Sequence, residues 1–294
     1  MQEGFVFPIT VVTGDSAHTW FTSSLVRQSS HNATCSRPAR RPGGPAGWAC
    51  DVGDPGPNYD GKVTLTDLTQ AISTTRTQPL IGILALQGDV REHARAIEAC
   101  GARVVGVRRP GELADLDGLV LPGGESTTID KLTRIFGLRE PLVERIHGGL
   151  PVYGSCAGMI LLANDIADPA RDMDGNPQQT LGGLDITVRR NAFGRQVDSF
   201  ETELQFSALA RAGEADEPVH AVFIRAPWVE RVGGAVEVLA SVELPPDGQN
   251  ARIEPEVRAV AVRSQHLLAT SFHPEVTGER RIHELFIRMI RGEA

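Results

Sequence analysis

From residue 80 onward, short apolar runs alternate with amphipathic segments along the chain. The apolar runs predict buried strands at 80–86, 103–107 and 118–121, and apolar residues at helical spacing predict a helix at 90–100, capped by Asp89. Strands that alternate with helices lie parallel, because the chain crosses a face of the sheet between them. The pattern therefore predicts an α/β fold: a mostly parallel, twisted sheet with helices on both faces.

The remainder of this region is richer in strands. Further helices are predicted at 127–136 and 138–147, followed by a short apolar run at 151–153. After residue 163 the pattern changes to strand-like segments separated by turn residues, at 184–188, 200–204, 219–224, 236–242, 259–263 and 267–271. A closing helix is predicted at 279–291.

Residues 1–79 differ in composition from the rest of the chain. Five prolines and five glycines occur between Arg37 and Asn58, and no apolar period runs through this segment. Such a segment buries too little apolar surface to offset the entropy lost on folding. We therefore expect two parts: a low-complexity, largely disordered N-terminal extension at 1–79 and a folded domain at 80–294.

Composition and charge exclude several classes of function. The chain has 294 residues, a net charge of −8 and no apolar run near the roughly 20 residues that span a bilayer. The acidic balance argues against nucleic acid as a partner, and residues 1–14 lack the basic start of a secretory signal. The four cysteines have no C-x-x-C spacing and no histidine cluster nearby, so neither a disulfide framework nor a zinc site is indicated. We expect a cytoplasmic protein that binds no metal, nucleic acid or membrane.

The segment with the clearest chemical signature is 154–158, which reads Gly-Ser-Cys-Ala-Gly between an apolar run and a helical pattern. Glycine on both sides of a central residue is typical of a sharp strand-to-helix turn that exposes a nucleophile, because larger side chains would collide with the turn. The turn places the Cys156 sulfur at a helix N-terminus, which favours its anionic form. The alternative is that Cys156 is a small buried hydrophobic residue.

A second segment, Phe-His-Pro-Glu at 272–275, supplies the groups that such a cysteine needs. A cysteine nucleophile needs a base that takes and returns protons, and the base needs a partner that orients it. His273 and Glu275 suit these roles, because alternate residues of an extended segment point the same way. The alternative is a surface histidine and glutamate that flank a proline turn.

The loop at 122–126, Pro-Gly-Gly-Glu-Ser, follows the third predicted strand. Acyl transfer needs N–H donors around the developing oxyanion, commonly one after the nucleophile and one from a neighbouring loop. Ala157 and Gly124 are the candidates. The alternative is an ordinary strand-to-helix turn with Ser126 as helix cap.

These motifs together resemble a known family. Cys156 in Gly-Ser-Cys-Ala-Gly, with His273 and Glu275 in Phe-His-Pro-Glu, is similar to the class I, triad-type glutamine amidotransferases. Four more segments resemble the glutaminase subunits of the pyridoxal 5'-phosphate synthase, and the likeness covers about 80–291. These segments are 86–93, 122–128, 190–201 and 223–227.

The resemblance implies a flavodoxin-like domain that hydrolyses L-glutamine to glutamate and ammonia through a thioester on Cys156. His273 would act as base and then as acid, and Glu275 would orient it. The ammonia would pass to a synthase subunit, and the reaction would need no cofactor. The glutamine contacts implied by matching motif positions are Gly124, Glu125, Ser126, Arg190, Ile224 and Arg225.

Three alternatives remain at this stage. One is a cysteine hydrolase of the DJ-1-like or dienelactone hydrolase-like type, another is a non-catalytic regulator, and the third is a glutaminase that serves another synthase. Two segments, 165–179 and 245–256, are longer than a compact version of the family needs. We expect both to be surface insertions that leave the chemistry intact.

Overall fold

The computed structural model describes residues 9–13, 16–20, 78–172, 175–192, 199–209, 217–244 and 256–294. The chain divides into two units, Met1–Val63 and Thr64–Ala294. In the first unit, strand β1 (Ile9–Thr13) pairs antiparallel with β2 (Ser16–Trp20). The expected disorder of 1–79 otherwise concerns residues outside the described ones, and it stays a prediction.

The second unit contains a ten-stranded sheet and a separate two-stranded ribbon. The ribbon pairs β9 (Ser199–Leu204) antiparallel with β10 (Val219–Ile224). The sheet consists of β3 (Leu80–Leu84), β4 (Arg103–Val107), β5 (Gly118–Leu121), β6 (Val152–Ser155), β7 (Ala163–Ile166), β8 (Leu184–Arg189), β11 (Trp228–Val232), β12 (Glu237–Leu244), β13 (Glu256–Ser264) and β14 (Leu267–Thr270). The strand order is β4-β3-β5-β6-β14-β13-β11-β8-β7, with β12 beside β13.

Parallel pairing is concentrated at the predicted strand–helix repeats. Strands β4, β3, β5, β6 and β14 pair parallel in that order, and β7 pairs parallel with β8. The remaining pairings of this sheet are antiparallel, and β13 returns as β14 through a tight turn in which Gln265 has a φ of +52°. The predicted α/β fold is confirmed, with the antiparallel strands in the strand-rich half of the chain.

Helices cover both faces of the sheet. They are α1 (Val90–Ala99), α2 (Ser126–Ile135), α3 (Arg139–His147), α4 (Ala157–Leu162), α5 (Pro274–Thr277) and α6 (Arg281–Arg291). Strand β3 shows how the faces separate, because Ile81 and Ile83 belong to one apolar cluster and Leu84 belongs to the other. Helices α2, α3 and α4 contribute to the Leu84 cluster, and α1 and α6 to the Ile81 cluster. Among the described residues, no helix is long and apolar enough to cross a membrane.

Two strands of the sheet were not predicted from the sequence pattern. Strand β7 reads Ala-Asn-Asp-Ile and β11 reads Trp-Val-Glu-Arg-Val, so both carry polar residues where a buried run would be apolar. The predicted insertion at 245–256 lies outside the described residues except at its end, where β13 begins.

Candidate functional site

A sharp turn between β6 and α4 carries Cys156. The residue has φ +47° and ψ −98°, a backbone conformation that costs energy for a residue with a side chain. A Cβ atom on Gly154 would lie 2.6 Å from the backbone of Gly158, and one on Gly158 would lie 2.1 Å from the Leu121 carbonyl oxygen. Both flanking positions therefore need glycine for the steric reason that the spacing suggests. Cys156 itself is 6% exposed.

His273 and Glu275 form a buried pair. Nδ1 of His273 lies 2.8 Å from Oε1 of Glu275, within hydrogen-bond distance. The backbone N–H of His273 donates to Val222 O at 3.0 Å, and the Ser155 hydroxyl donates toward Glu275 Oε2 at 3.4 Å. The expectation of an extended segment is wrong in detail, because Pro274 starts the short helix α5 and Glu275 lies within it.

The electrostatics of this pair favour an imidazolium and a carboxylate. Burial lowers the pKa of His273, but hydrogen bonds to Asp89, Cys156 and Glu275 outweigh burial and raise the pKa well above its usual range. Burial raises the pKa of Glu275, whereas His93 and His273 nearby lower it, with a net result of about 2. Glu275 is therefore ionised across the neutral range and can hold the His273 ring in one orientation.

Asp89 was expected only as a helix cap, and its side chain makes no capping hydrogen bond. Its Oδ2 lies instead 3.5 Å from His273 Nδ1. Asp89, His273 and Glu275 are the one group of metal-ligating side chains found among the described residues, with their ligand atoms within 4.8 Å of one another. A metal there would compete with the proton shared by His273 and Glu275. The absence of a metal stays a prediction.

The loop after β5 packs directly against His273. A Cβ atom on Gly123 would lie 2.4 Å from Cε1 of the His273 ring. Gly124 has a φ of +151°, and a Cβ atom there would lie 2.5 Å from Gln87 Oε1. The same Gln87 oxygen accepts the backbone N–H of Glu125 at 2.8 Å. Gln87, which lies in the segment 86–93 that resembles the family, therefore holds the candidate oxyanion loop.

The second oxyanion candidate is Ala157, on the C-terminal side of the nucleophile in the chain. Ala157 is the first residue of α4, directly after Cys156. The first N–H groups of a helix have no partner within the helix. The backbone N–H of Cys156 is already used, because it donates to Thr270 O at 2.8 Å. These positions are compatible with Ala157 as an oxyanion donor.

Glu125 and Arg190 form an ion pair beside this loop. The Arg190 guanidinium Nη2 donates to Glu125 Oε1 at 3.1 Å, and the Arg190 side chain is 12% exposed. Glu125 also caps α2, since Oε1 accepts the backbone N–H and the hydroxyl of Thr127. The suggestion that Ser126 caps this helix is wrong, because the cap is one residue earlier. The backbone N–H of Arg190 donates to Asp168 Oδ1 at 3.2 Å.

Ser126 is buried and contacts the insertion at 165–179. Its hydroxyl donates to Gln178 Oε1 at 3.3 Å, and Gln178 is 8% exposed. The insertion was expected to lie only on the surface, and Gln178 departs from this. Gln178 also lines a cavity of about 350 Å³ with residues including Arg139 and Thr180, and none of the lining residues is Cys156, His273 or Glu275.

Ile224 and Arg225 lie at the end of β10. Arg225 has a φ of +44° and Asn191 a φ of +43°, so two non-glycine residues adopt costly conformations next to candidate substrate residues. The backbone N–H of Ala192 donates to Ala226 O at 3.1 Å, which joins the loop of Arg190 to the loop of Arg225. The structure thus links Arg190 to Glu125 on one side and to the end of β10 on the other.

Comparisons with known proteins agree with one another. The model of the SNO glutamine amidotransferase family matches residues 83–292. The chain is 68% identical over 229 residues to pyridoxal 5'-phosphate synthase subunit PdxT of Paenarthrobacter aurescens (strain TC1), covering 77% of this chain and 98% of that protein. It is 70% identical over 220 residues to the protein of the same name from Pseudarthrobacter chlorophenolicus, covering 73% and 93%. A crystal structure of a glutamine amidotransferase is similar at 40% identity and a TM-score of 0.59, covering 72% of this chain and 98% of that one.

Proposed function

The chain belongs to the SNO glutamine amidotransferase family, and we propose that it releases ammonia from L-glutamine through a glutamyl thioester on Cys156. The observation that supports the proposal most directly is the arrangement at the strained turn. Cys156 contacts an imidazole whose other nitrogen is bound to a buried carboxylate. Nucleophile, base and orienting acid are the three roles that a cysteine hydrolase requires.

The first half of the reaction forms the thioester. The Cys156 thiolate attacks the side-chain carboxamide carbon of glutamine, and the carbonyl oxygen becomes an oxyanion that Gly124 and Ala157 N–H groups stabilise. As the oxyanion collapses, the C–N bond breaks and the His273 imidazolium gives its proton to the departing nitrogen. Ammonia leaves, and the glutamyl group stays bound to sulfur.

The second half returns the enzyme to its starting state. His273, now neutral, takes a proton from water, and the resulting hydroxide attacks the thioester carbon. The C–S bond breaks, glutamate leaves, and Cys156 is again a thiolate beside an imidazolium. Glu275 keeps the Nδ1 proton of His273 in place throughout, so that Nε2 faces the sulfur.

The Glu125–Arg190 pair suits the amino-acid end of the substrate. Glutamine carries an α-carboxylate and an α-ammonium group, and a guanidinium fork matches a carboxylate well. Arg190 would bind the carboxylate, Glu125 would face the ammonium, and Ser126, Ile224 and Arg225 would complete the pocket wall. Binding at both charged groups would select a free amino acid over a peptide or an ester.

The named relatives are subunits of a synthase, which suggests the destination of the ammonia. We propose that this chain docks to a pyridoxal 5'-phosphate synthase subunit and delivers ammonia to it for vitamin B6 synthesis. A thiolate nucleophile must stay reduced, so we place the reaction in the cytoplasm. Neither half of the hydrolysis needs a cofactor.

The function is tested by measuring ammonia release from L-glutamine by the full chain, with and without the synthase subunit. A simple ester substrate is assayed in parallel. We expect ammonia release that rises when the synthase subunit is present, because the family resemblance implies that docking of the partner completes the oxyanion site. Ester hydrolysis without ammonia release would favour the hydrolase alternatives, and equal ammonia release in both conditions would contradict activation by the partner.

The role of Arg190 gives a separate prediction. Replacing Arg190 with alanine removes a charge-assisted hydrogen bond to the substrate carboxylate, so we expect the KM for glutamine to rise about 10- to 100-fold with a smaller change in kcat. The control is Arg189→Ala, because the neighbouring guanidinium pairs with Glu230 near the surface. An unchanged KM in the Arg190 variant, or an equal rise in both variants, would remove Arg190 from the binding site.

A further inference from the structure

A pair of buried histidines lies close to Glu275, in addition to His273. His93 on α1 and His283 on α6 are both 0% exposed, and Nδ1 of His93 lies 3.0 Å from Nε2 of His283. The other nitrogen of His93, Nε2, lies 3.5 Å from Oε1 of Glu275 and makes no hydrogen bond within the described residues, so it is a buried polar atom that faces this carboxylate. This is the same Glu275 oxygen that lies beside His273 Nδ1. The polar groups therefore form one line from His273 to His283.

The negative charge of Glu275 favours one assignment of protons along this line. The Glu275 carboxylate can only accept, and a ring lone pair facing it would be repelled, so His93 carries its proton on Nε2. His93 Nδ1 is then an acceptor, which requires that His283 carry its proton on Nε2. The remaining nitrogen, His283 Nδ1, is buried near the backbone of Glu279 without a well-formed hydrogen bond, and this neutral carbonyl competes weakly with the full charge of the Glu275 carboxylate in selecting the tautomers.

Burial keeps both rings neutral, which the assignment requires. Burial is the largest influence on both histidines: it lowers the pKa of His93, and it lowers that of His283 to about 3. The ionisable groups around His93 are Glu275, His273, Asp89, Glu92 and His283, and Glu279 is also near His283. Their opposing charges do not overcome burial, so each ring has one N–H to donate at neutral pH.

Tyr153 fixes the orientation of both rings. Its ring lies edge-on to His93 at 5.9 Å and to His283 at 5.7 Å between ring centroids. Its hydroxyl is bound to the Thr270 hydroxyl at 2.9 Å. The tyrosine is itself fully buried on β6, the strand that ends at Cys156. Both histidine rings are thus held in place by contacts with a fully buried side chain of the core.

We propose that His93 and His283 are positioning residues that extend the Cys156–His273–Glu275 triad, with His93 donating to Glu275 and His283 fixing the tautomer of His93. Neither residue touches the substrate. A triad carboxylate in an apolar interior is useful only if it stays ionised and points at the base, and a donor on its far side serves both needs. This inference rests on the proposed triad and adds two residues to it.

The test compares variants that remove or keep the N–H donor of His93 in the full chain. In His93→Phe the donor is lost, so we expect kcat for ammonia release to fall about tenfold with KM unchanged. The apparent pKa of the acidic limb of the pH–kcat profile should also rise, because Glu275 loses a group that favours its charged form. In His93→Gln the amide nitrogen replaces Nε2, so kcat and the profile should recover most of the way.

The wild-type protein supplies a measurement that does not depend on how a variant folds. In ¹⁵N-histidine NMR spectra near neutral pH, His93 and His283 should both be neutral Nε2–H tautomers. Either ring found as the Nδ1–H tautomer would overturn the proposal. So would equal losses in the phenylalanine and glutamine variants, or a change confined to KM. If these results are obtained while Cys156→Ala still abolishes ammonia release, the proposed function stands and only the positioning roles of His93 and His283 are rejected.

Discussion

Replacing Cys156 with alanine is expected to abolish ammonia release from glutamine, with kcat/KM falling by about 10⁴-fold or more. The sulfur is the atom that forms the covalent intermediate, and the oxyanion donors and the base cannot substitute for it. Ammonia release by the full chain with the synthase subunit measures the effect. Alkylation of wild-type Cys156 should have the same result, and bound glutamine should slow the alkylation.

Cys100 provides the matched control for this experiment. It lies at the end of α1, half-buried, and burial raises the pKa of its thiol to about 11. A thiol that stays protonated is a poor nucleophile, so Cys100→Ala should retain full activity and Cys100 should alkylate slowly. If Cys156→Ala keeps wild-type ammonia release, or if the Cys100 variant loses it equally, the assignment of Cys156 as nucleophile is wrong.

The parts of this protein that could be predicted from sequence are those governed by local sterics and periodicity. The spacing of Gly154 and Gly158 around Cys156 anticipates the sharp turn, because the collisions that forbid a side chain there involve atoms within the turn and the adjacent strand β5. The repeat of apolar runs anticipates β3, β4 and β5 and their parallel order. The family indicated by the motifs is confirmed by its relatives.

The contacts that sequence reasoning missed are between residues far apart in the chain. Asp89 reaches His273, Gln87 holds the loop of Gly124, and Gln178 reaches Ser126. Nothing in the local pattern around each of these polar residues distinguishes a solvated side chain from one that faces the site. The topology makes the difference, because parallel strands bring the ends of β3 and β5 to the same edge of the sheet.

The position of Asp89 also shows that the place of a residue in a sequence motif does not by itself determine its chemical role. The residue before a predicted helix is ordinarily read as a cap, and the structure uses it as a second carboxylate near the base instead. His273 thus has two carboxylates near Nδ1, one buried and one part-exposed. The buried Glu275 makes the shorter contact, 2.8 Å against 3.5 Å, and it is the one that we assign to the triad.

Replacing Gly158 with alanine is expected to disrupt the turn that holds the nucleophile. The added Cβ atom would lie 2.1 Å from the Leu121 carbonyl oxygen, and this is backbone of the central strand β5, which cannot rotate away as a side chain would. In an unconstrained helix, alanine would be more favourable than glycine by about 1 kcal/mol. Here the overlap reverses the sign, and we expect a loss of about 2–3 kcal/mol in the free energy of unfolding.

A loss of that size should lower the Tm by roughly 5–10 °C for a domain of this length, and activity should fall further because α4 carries Ala157. Gly111→Ala is the control, since nothing lies within 4 Å of a Cβ atom placed there. That variant should keep its Tm and its ammonia release. If Gly158→Ala matches the control in both measurements, then α4 can shift away from β5, and the turn is not held by the close approach of Gly158 to Leu121.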